Sequence, residues 1–416
     1  MKKLYARLFL LGFGFFGVSV IWTTYNIFVP LFLANRYHLS PALIGFFLTL
    51  DNIAAFLIQP SVGVWSDRLR TPIGRRVPFV LIGAPIAALA FGVLPMVNAL
   101  PVFFACACML VISMAFWRTP VMALMPDITP SRYRSQANGI INLMGGLGAV
   151  VASIGGSALY EVNDNYPFWF GSVLVIIAAA LVLLFIKEPK IYTDAEKPPG
   201  LISSLRELIK DEDKSAVFLL AAIFFWVLTT QQADTFLTLY ATRHLGISEG
   251  DAGRLAGHLG ILFLLFAIPA GVLGGRIGRR KTITIGILSM ALFIFLIAVL
   301  SKDFLTIFIT HIPILGRIRA VNLFLMASGI SWAFININAL PMVVDLTSAD
   351  RIGTYTGFYF LAYTLSSVVG PILNGWIILL AGHNYNMIMI IGPIALFISL
   401  FFLSRVKKGE PLPNSA

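Results

Sequence analysis

The chain has 416 residues, of which 58% are hydrophobic and only 12% charged, and it carries a formal net charge of +11. So few polar side chains cannot clothe a water-soluble globule of this length, and the solvent such a composition suits is a lipid bilayer. On an oily chain the positive balance reflects membrane topology and anionic headgroups, and nucleic acid is a poor explanation for it.

A hydrocarbon core about 30 Å thick takes roughly 20 apolar residues per crossing helix. Runs of that length are predicted at 9–34, 41–64, 77–97, 101–125, 136–160 and 166–186. After a polar stretch they recur at 215–242, 252–274, 281–300, 320–343, 353–380 and 385–404. Lipid offers no partner to unpaired backbone groups, and the runs are too long for barrel strands, so all twelve are expected to be helices. The opening MKKLYARLFLLGFGFF resembles a secretory leader, but its apolar region is too long and no small-residue cleavage site closes it. It is read as the first helix. GFGFFG at 12–17 matches a dinucleotide fingerprint in letters alone, because no strand precedes it.

Placing the amino terminus inside the cell gathers about 23 of the 30 Lys and Arg on one side. Arg36, Arg243, Arg254, Lys302, Arg317 and Arg319 fall opposite, and Arg118 lies within the membrane. This asymmetry predicts a multi-pass protein of the cell membrane with both termini cytoplasmic.

The chain is written twice. Leu39, Ser40 and Gly45 return as Ile247, Ser248 and Gly253, and Gly63 returns as Gly271, displaced by about 208 residues; DITPSRYRSQANG returns as DLTSADRIGTYTG, displaced by about 218. Two six-helix bundles, 1–186 and 215–416, are therefore expected, with a cytoplasmic linker at 187–214. Within the linker, Leu201, Leu205, Leu208 and Ile209 share one helical face, which predicts a short helix on the membrane surface. An extra piece at 301–319 is too broken to cross and is expected at the outer surface.

Asp51 sits about ten residues into its helix, where a charge costs roughly 3 kcal/mol even on the gentler insertion scales. It either binds and releases a coupling proton or is hydrogen-bonded structural glue. The repeat sets Asp234 opposite Asn26, and His258 one residue from the counterpart of Asp51, so these four fall at similar depths. His258 suits proton work by its intrinsic pKa, or is a satisfied packing residue. Arg118 either meets an acid or substrate hydroxyls, or snorkels to the cytoplasmic interface.

Asn26, Asn142, Gln231, Gln232, Asn336 and Asn338 supply amides, and Trp22, Tyr25, Trp226 and Trp332 supply rings, the inventory by which a sugar is held. Tyr355, Tyr359 and Tyr363 form one stripe, either a binding wall or a packing belt. The small residues Gly145, Ala149, Ser153 and Gly156 predict tight helix packing. Cys106 and Cys108 face different directions, which argues against a disulfide or a metal site. Without nucleophile, metal or phosphate-loop constellations, neither an enzyme nor a cofactor is expected.

GVWSDRLRTPIGRRVPF, with Gly63, Asp67, Arg68, Gly74, Arg75 and Arg76, resembles the loop motif of the major facilitator superfamily. QPSVGVWSDR with GRRVPF, followed by ALMPDITPSRYRSQAN, more particularly resembles the sucrose/proton symporter group and the related glycoside, pentoside and hexuronide cation symporters. The resemblance implies an all-α membrane protein of twelve helices in two pseudo-symmetric halves. It also implies proton-coupled symport of a sugar or glycoside by alternating access. A monomer is expected, whose partners are a small-molecule substrate, a proton and the bilayer.

The superfamily arrangement implies that Asp67 meets the amino-terminal end of the eleventh helix, near Gly353, when the cytoplasmic side is closed. Gly275 stands where the second copy would repeat Asp67. In the sucrose group a functional arginine lies about one turn past Arg118, where this chain has Met122. Asp127 with Arg132 and Arg134 forms a candidate second cytoplasmic cluster. Two rivals remain: export of amphipathic molecules, and a membrane sensor that does not transport.

Overall fold

Ser40 shows how the crossing helices begin: its side chain accepts a hydrogen bond from the Leu43 amide, and Pro41 takes the first helical position, where no amide is needed. Ser248 repeats the cap on the Asp251 amide in the second half. The computed structural model describes residues 2–129, 133–186, 188, 208, 213–347 and 351–409. The expected surface helix of the linker lies outside them, apart from Leu208.

The crossing helices are α1 (Lys2–Asn35), α2 (Pro41–Arg68), α3 (Val77–Val93), α4 (Leu100–Ile128), α5 (Arg134–Val150) and α6 (Tyr166–Phe185). The second set is α7 (Ser215–Leu239), α8 (Glu249–Ile277), α9 (Arg279–Val299), α10 (Ala320–Val344), α11 (Ile352–Leu380) and α12 (Met387–Ser404). Wider π-helical turns, Val151–Gly155 and Tyr240–Leu245, prolong α5 and α7. Among the described residues, 12 helices are long and apolar enough to cross a membrane. The piece between α9 and α10 folds into a helical turn, Lys302–Leu305, and an antiparallel hairpin, β1 (Phe308–Ile312) and β2 (Gly316–Arg319). No strand was predicted there.

Call the side where the chain begins and ends the terminal face, and its opposite the far face. Toward the far face the two sets of helices interlock. A Cβ on Gly45 of α2 would collide with the Pro371 carbonyl oxygen of α11, so glycine is what lets these helices touch. One turn on, the Thr49 hydroxyl reaches the Val368 carbonyl oxygen at 3.4 Å. On α8, Gly257 sits 2.6 Å, measured from a built Cβ, from the Ser153 hydroxyl oxygen of α5. Polar bonds cross nearby: Tyr160 donates to Glu249 at 2.7 Å, and Arg254 holds Glu161 at 2.7 and 2.9 Å. Toward the terminal face the close approaches stop. A Cβ on Gly63 would meet only Thr119 of its own half, at 3.7 Å, and one on Gly139 or Gly353 would meet no described atom within 4 Å. Among the described residues the close approaches between the halves thus lie toward the far face, and these three glycines of the terminal side make none.

The α2–α3 loop is clasped within the first half. Gly74 adopts φ +119°, a left-handed backbone that favours glycine, against Glu188. Arg76 bonds Asp127 and Asp67, the latter at 2.8 Å, and Arg75 holds Asp127 at 2.9 Å and Glu188 at 3.3 Å. Burial works against the Arg75 charge, but the hydrogen bond and charge of Asp127, with Asp67 and Glu188 behind it, outweigh burial and raise its pKa. In the second half Arg279 pairs with Asp345, the repeat of Asp127.

Asp127 thus engages Arg75 and Arg76 where the sequence suggested Arg132 and Arg134. Arg132 lies outside the described residues, as does the Arg134 side chain. Asp67 is held by Arg76, and Arg68 is exposed. Since two arginines would lose a largely buried partner, Asp127→Asn is expected to cost about 3 kcal/mol, read as a lowered unfolding midpoint in detergent.

Candidate functional site

A cavity of about 250 Å³ lies between the halves, walled by α1, α5, α7, α8, α9 and α10. Trp22 and Asn26, one helical turn apart on α1, present to it the face they share. From α7 come Thr230, Asp234 and Thr238, again spaced by four, and Trp332 enters from α10. Asp234 is exposed within this space although it lies deep in the bundle. Gly257 and Gly260 of α8 leave room opposite.

Beside the cavity runs a chain of charged and phenolic groups. Asp51 of α2 and Arg118 of α4 lie within electrostatic reach of each other, and Arg118 also senses Tyr363 of α11. Tyr363 is likewise within electrostatic reach of Asp234, and Tyr25 of Asp51. The Asp51 carboxylate accepts from the Asn52 amide at 2.7 Å and its side chain at 2.9 Å. No ion pair joins it to Arg118 among the described residues. Arg118 stands ten residues, about 15 Å, from the end of α4, deeper than the sequence spans suggested.

The other sequence candidates scatter. His258 is fully buried away from Asp51. Its Nδ1 accepts from Asn322 at 2.8 Å and its Nε2 donates to the Leu315 carbonyl at 3.0 Å, so both nitrogens are committed and the ring is held neutral. His258→Phe is expected to leave proton stoichiometry unchanged and to cost about 1–3 kcal/mol of stability from two groups left unsatisfied, read as a lower unfolding midpoint. Asn338 donates to the Ala270 and Phe334 carbonyls and packs over Gly274, a structural role. Trp226 and Gln232 are buried within the second half, and Gln231 packs toward Gly370. Asn142 is exposed and bonded to the Asn138 carbonyl. Asn336 is half-buried. Tyr355 packs on Phe358, and Tyr359 on Tyr363, with ring centres 5.9 and 6.4 Å apart. Tyr25 lines a separate apolar groove between α2 and α4, because its position on α1 is turned away from the face shared by Trp22 and Asn26.

Sequence reading missed Thr23, Ser153, Thr230 and Thr238 as cavity residues. The spacing of Thr230, Asp234 and Thr238 was the available signal.

Twelve crossing helices around a largely apolar cavity with a few polar groups are the architecture of a membrane carrier. The model of the Major Facilitator Superfamily matches residues 11–301 and 235–416, and the chain belongs to that superfamily. It is similar to "Multidrug resistance protein 2" of Bacillus subtilis (strain 168), 24% identical over 301 residues, 71% of this chain and 72% of that protein. A shorter likeness links it to "Sucrose transport protein SUT4" of Oryza sativa subsp. indica, 48% identical over 42 residues, 10% of this chain and 7% of that protein. Its fold matches a crystal structure of a mutant of the nucleoside transporter NupG with a TM-score of 0.76 at 17% identity, over 97% of this chain and 100% of that one. The superfamily expectation stands. The narrower sucrose-group resemblance rests on a tenth of the chain and is not specifically supported.

Proposed function

We propose that the chain is a proton-coupled carrier of a small polyhydroxylated solute, a sugar or glycoside, working by alternating access. The observation that carries this reading is a cavity between the halves to which Asn26, Asp234, Thr230, Thr238, Trp22 and Trp332 are presented, with the ionisable Asp51 and Arg118 inside neighbouring crossing helices. With the terminal face taken as cytoplasmic, the interlocked far face is the outer one. Asp51 trades its proton as the cavity changes sides, and Arg118 compensates the carboxylate when the proton has left. Asn26, Asp234, Thr230 and Thr238 receive hydroxyls, while Trp22 and Trp332 cover the apolar face of the ring. On closing, α2 zips onward along α11: Gly63 comes against Gly353, and Asp67 exchanges Arg76 for the amino-terminal end of α11.

A second reading, proton-driven export of amphipathic compounds, is favoured by the long alignment with the multidrug resistance protein, and by two tryptophans and an acid in one cavity, a combination that suits organic cations. Proteoliposomes with an imposed proton gradient separate the two. Sugar-driven alkalinisation outside vesicles supports uptake. Proton-driven movement of fluorescent cationic dyes with no response to any mono- or disaccharide would replace it with export.

A further inference from the structure

The hairpin between α9 and α10 presents apolar side chains where a solvent-facing loop would not. All five residues of β1 are exposed, with Phe308 at 58% and Ile309 and Ile312 beside it, while β2 turns Gly316 and Ile318 inward against the helices. At the tip Ile314 is 84% exposed and holds φ +74°, a left-handed backbone that glycine would take without strain and a β-branched residue resists. A bare sec-butyl side chain thus stands at the tip on a backbone that favours glycine.

Depth decides what covers it. Arg276, Arg279 and Arg280 mark the boundary of the hydrocarbon on the terminal face. From there α9 runs to Val299 in 21 residues, about 31 Å, which is the thickness of the core. On α8, His258 stands nineteen residues, about 29 Å, from Ile277, at the same level. The Leu315 carbonyl is bonded to the His258 ring, and the hairpin's feet are joined at that level by the Ala320 amide and the Ile307 carbonyl. The hairpin therefore lies along the far-face boundary of the hydrocarbon and does not project from it. Arg319 bonds Asp251, seven residues further out along α8, at 2.7 Å, so the base of β2 leans to the headgroup side, where the exposed Lys302 and Arg317 offer cations.

We propose that this hairpin is a membrane-surface anchor, with β1 and Ile314 embedded in the boundary between headgroups and acyl chains of the far-face leaflet. The partner is bilayer lipid, and the inference is independent of what the carrier transports.

The test places an environment-sensitive NBD fluorophore at Ile314→Cys, in a Cys106→Ser, Cys108→Ser background, in nanodiscs of phosphatidylcholine and phosphatidylglycerol. A second label at Phe308→Cys keeps the result free of the turn geometry. Both labels are expected to emit at blue-shifted wavelengths and to be quenched more by nitroxides near the lipid carboxyl group than by nitroxides at the acyl end. Water-like emission quenched by aqueous iodide overturns the proposal. Blue-shifted emission indifferent to every lipid nitroxide also overturns it, since a second protein surface then covers the hairpin.

Discussion

Asp51→Asn is expected to collapse uphill accumulation of substrate to a concentration ratio of one, while exchange of labelled for unlabelled substrate across the bilayer persists. The amide keeps the side chain's size and its neighbours Asn52 and Tyr25 but cannot ionise, so no proton accompanies the solute. It also removes a charge whose burial inside the bundle is costly. With the titrating carboxylate gone, the pH dependence of exchange should flatten as well. Accumulation and counterflow measured on one preparation decide the matter: proton-coupled uptake at the native rate would take Asp51 out of the mechanism. Arg118→Gln should phenocopy the loss of coupling if the pair acts as a unit.

Gly45→Val is expected to stop the cycle by a different route. The valine side chain would press on the Pro371 carbonyl oxygen, which is backbone and cannot rotate away. Over-packing of this kind costs about 1–3 kcal/mol or more, enough to reduce the closed far face tenfold or beyond. The site should remain formed within each half while the molecule rests open on the far side. Thr49 is fully buried below Gly45, so a Thr49→Cys reporter should resist a charged thiol reagent applied from the far face in the native chain and react in the Gly45→Val background. Equal protection in both would show that the two helices adjust without parting.

The two experiments address separate links. Gly45 concerns how helices meet, and its effect is steric. Asp51 concerns what one side chain carries between states. A variant that loses closure but still responds to pH would separate the two.

Much of the architecture was legible in the chain. Hydrocarbon forces every crossing segment to satisfy its own backbone, so length and apolarity mark each helix, and the twelve predicted spans agree with the observed ones to within a few residues at most ends. The first helix is the main exception, extending back to Lys2. Among the candidates, the inventory of amides and rings named Asn26 and Trp22, intramembrane charge singled out Asp51 and Arg118, and the internal repeat singled out Asp234. Spacing could not say that Asn338 spends its amide on the Ala270 and Phe334 carbonyls, or that His258 pins a hairpin. Each polar side chain in lipid needs a partner, but which one depends on the helix beside it.

The sequence by itself determined how many times the chain crosses, where its glycines permit close approach, and which residues carry charge into the membrane. These follow from one-dimensional properties, since apolar length and residue type are set before folding. Only the tertiary structure decided that Asp127 clasps Arg75 and Arg76, that Asn322 and the Leu315 carbonyl engage His258, and that the described halves interlock on the far face. Those outcomes depend on which helical faces meet across the bundle, and lipid, equally apolar to every face, leaves that choice to packing between the helices themselves.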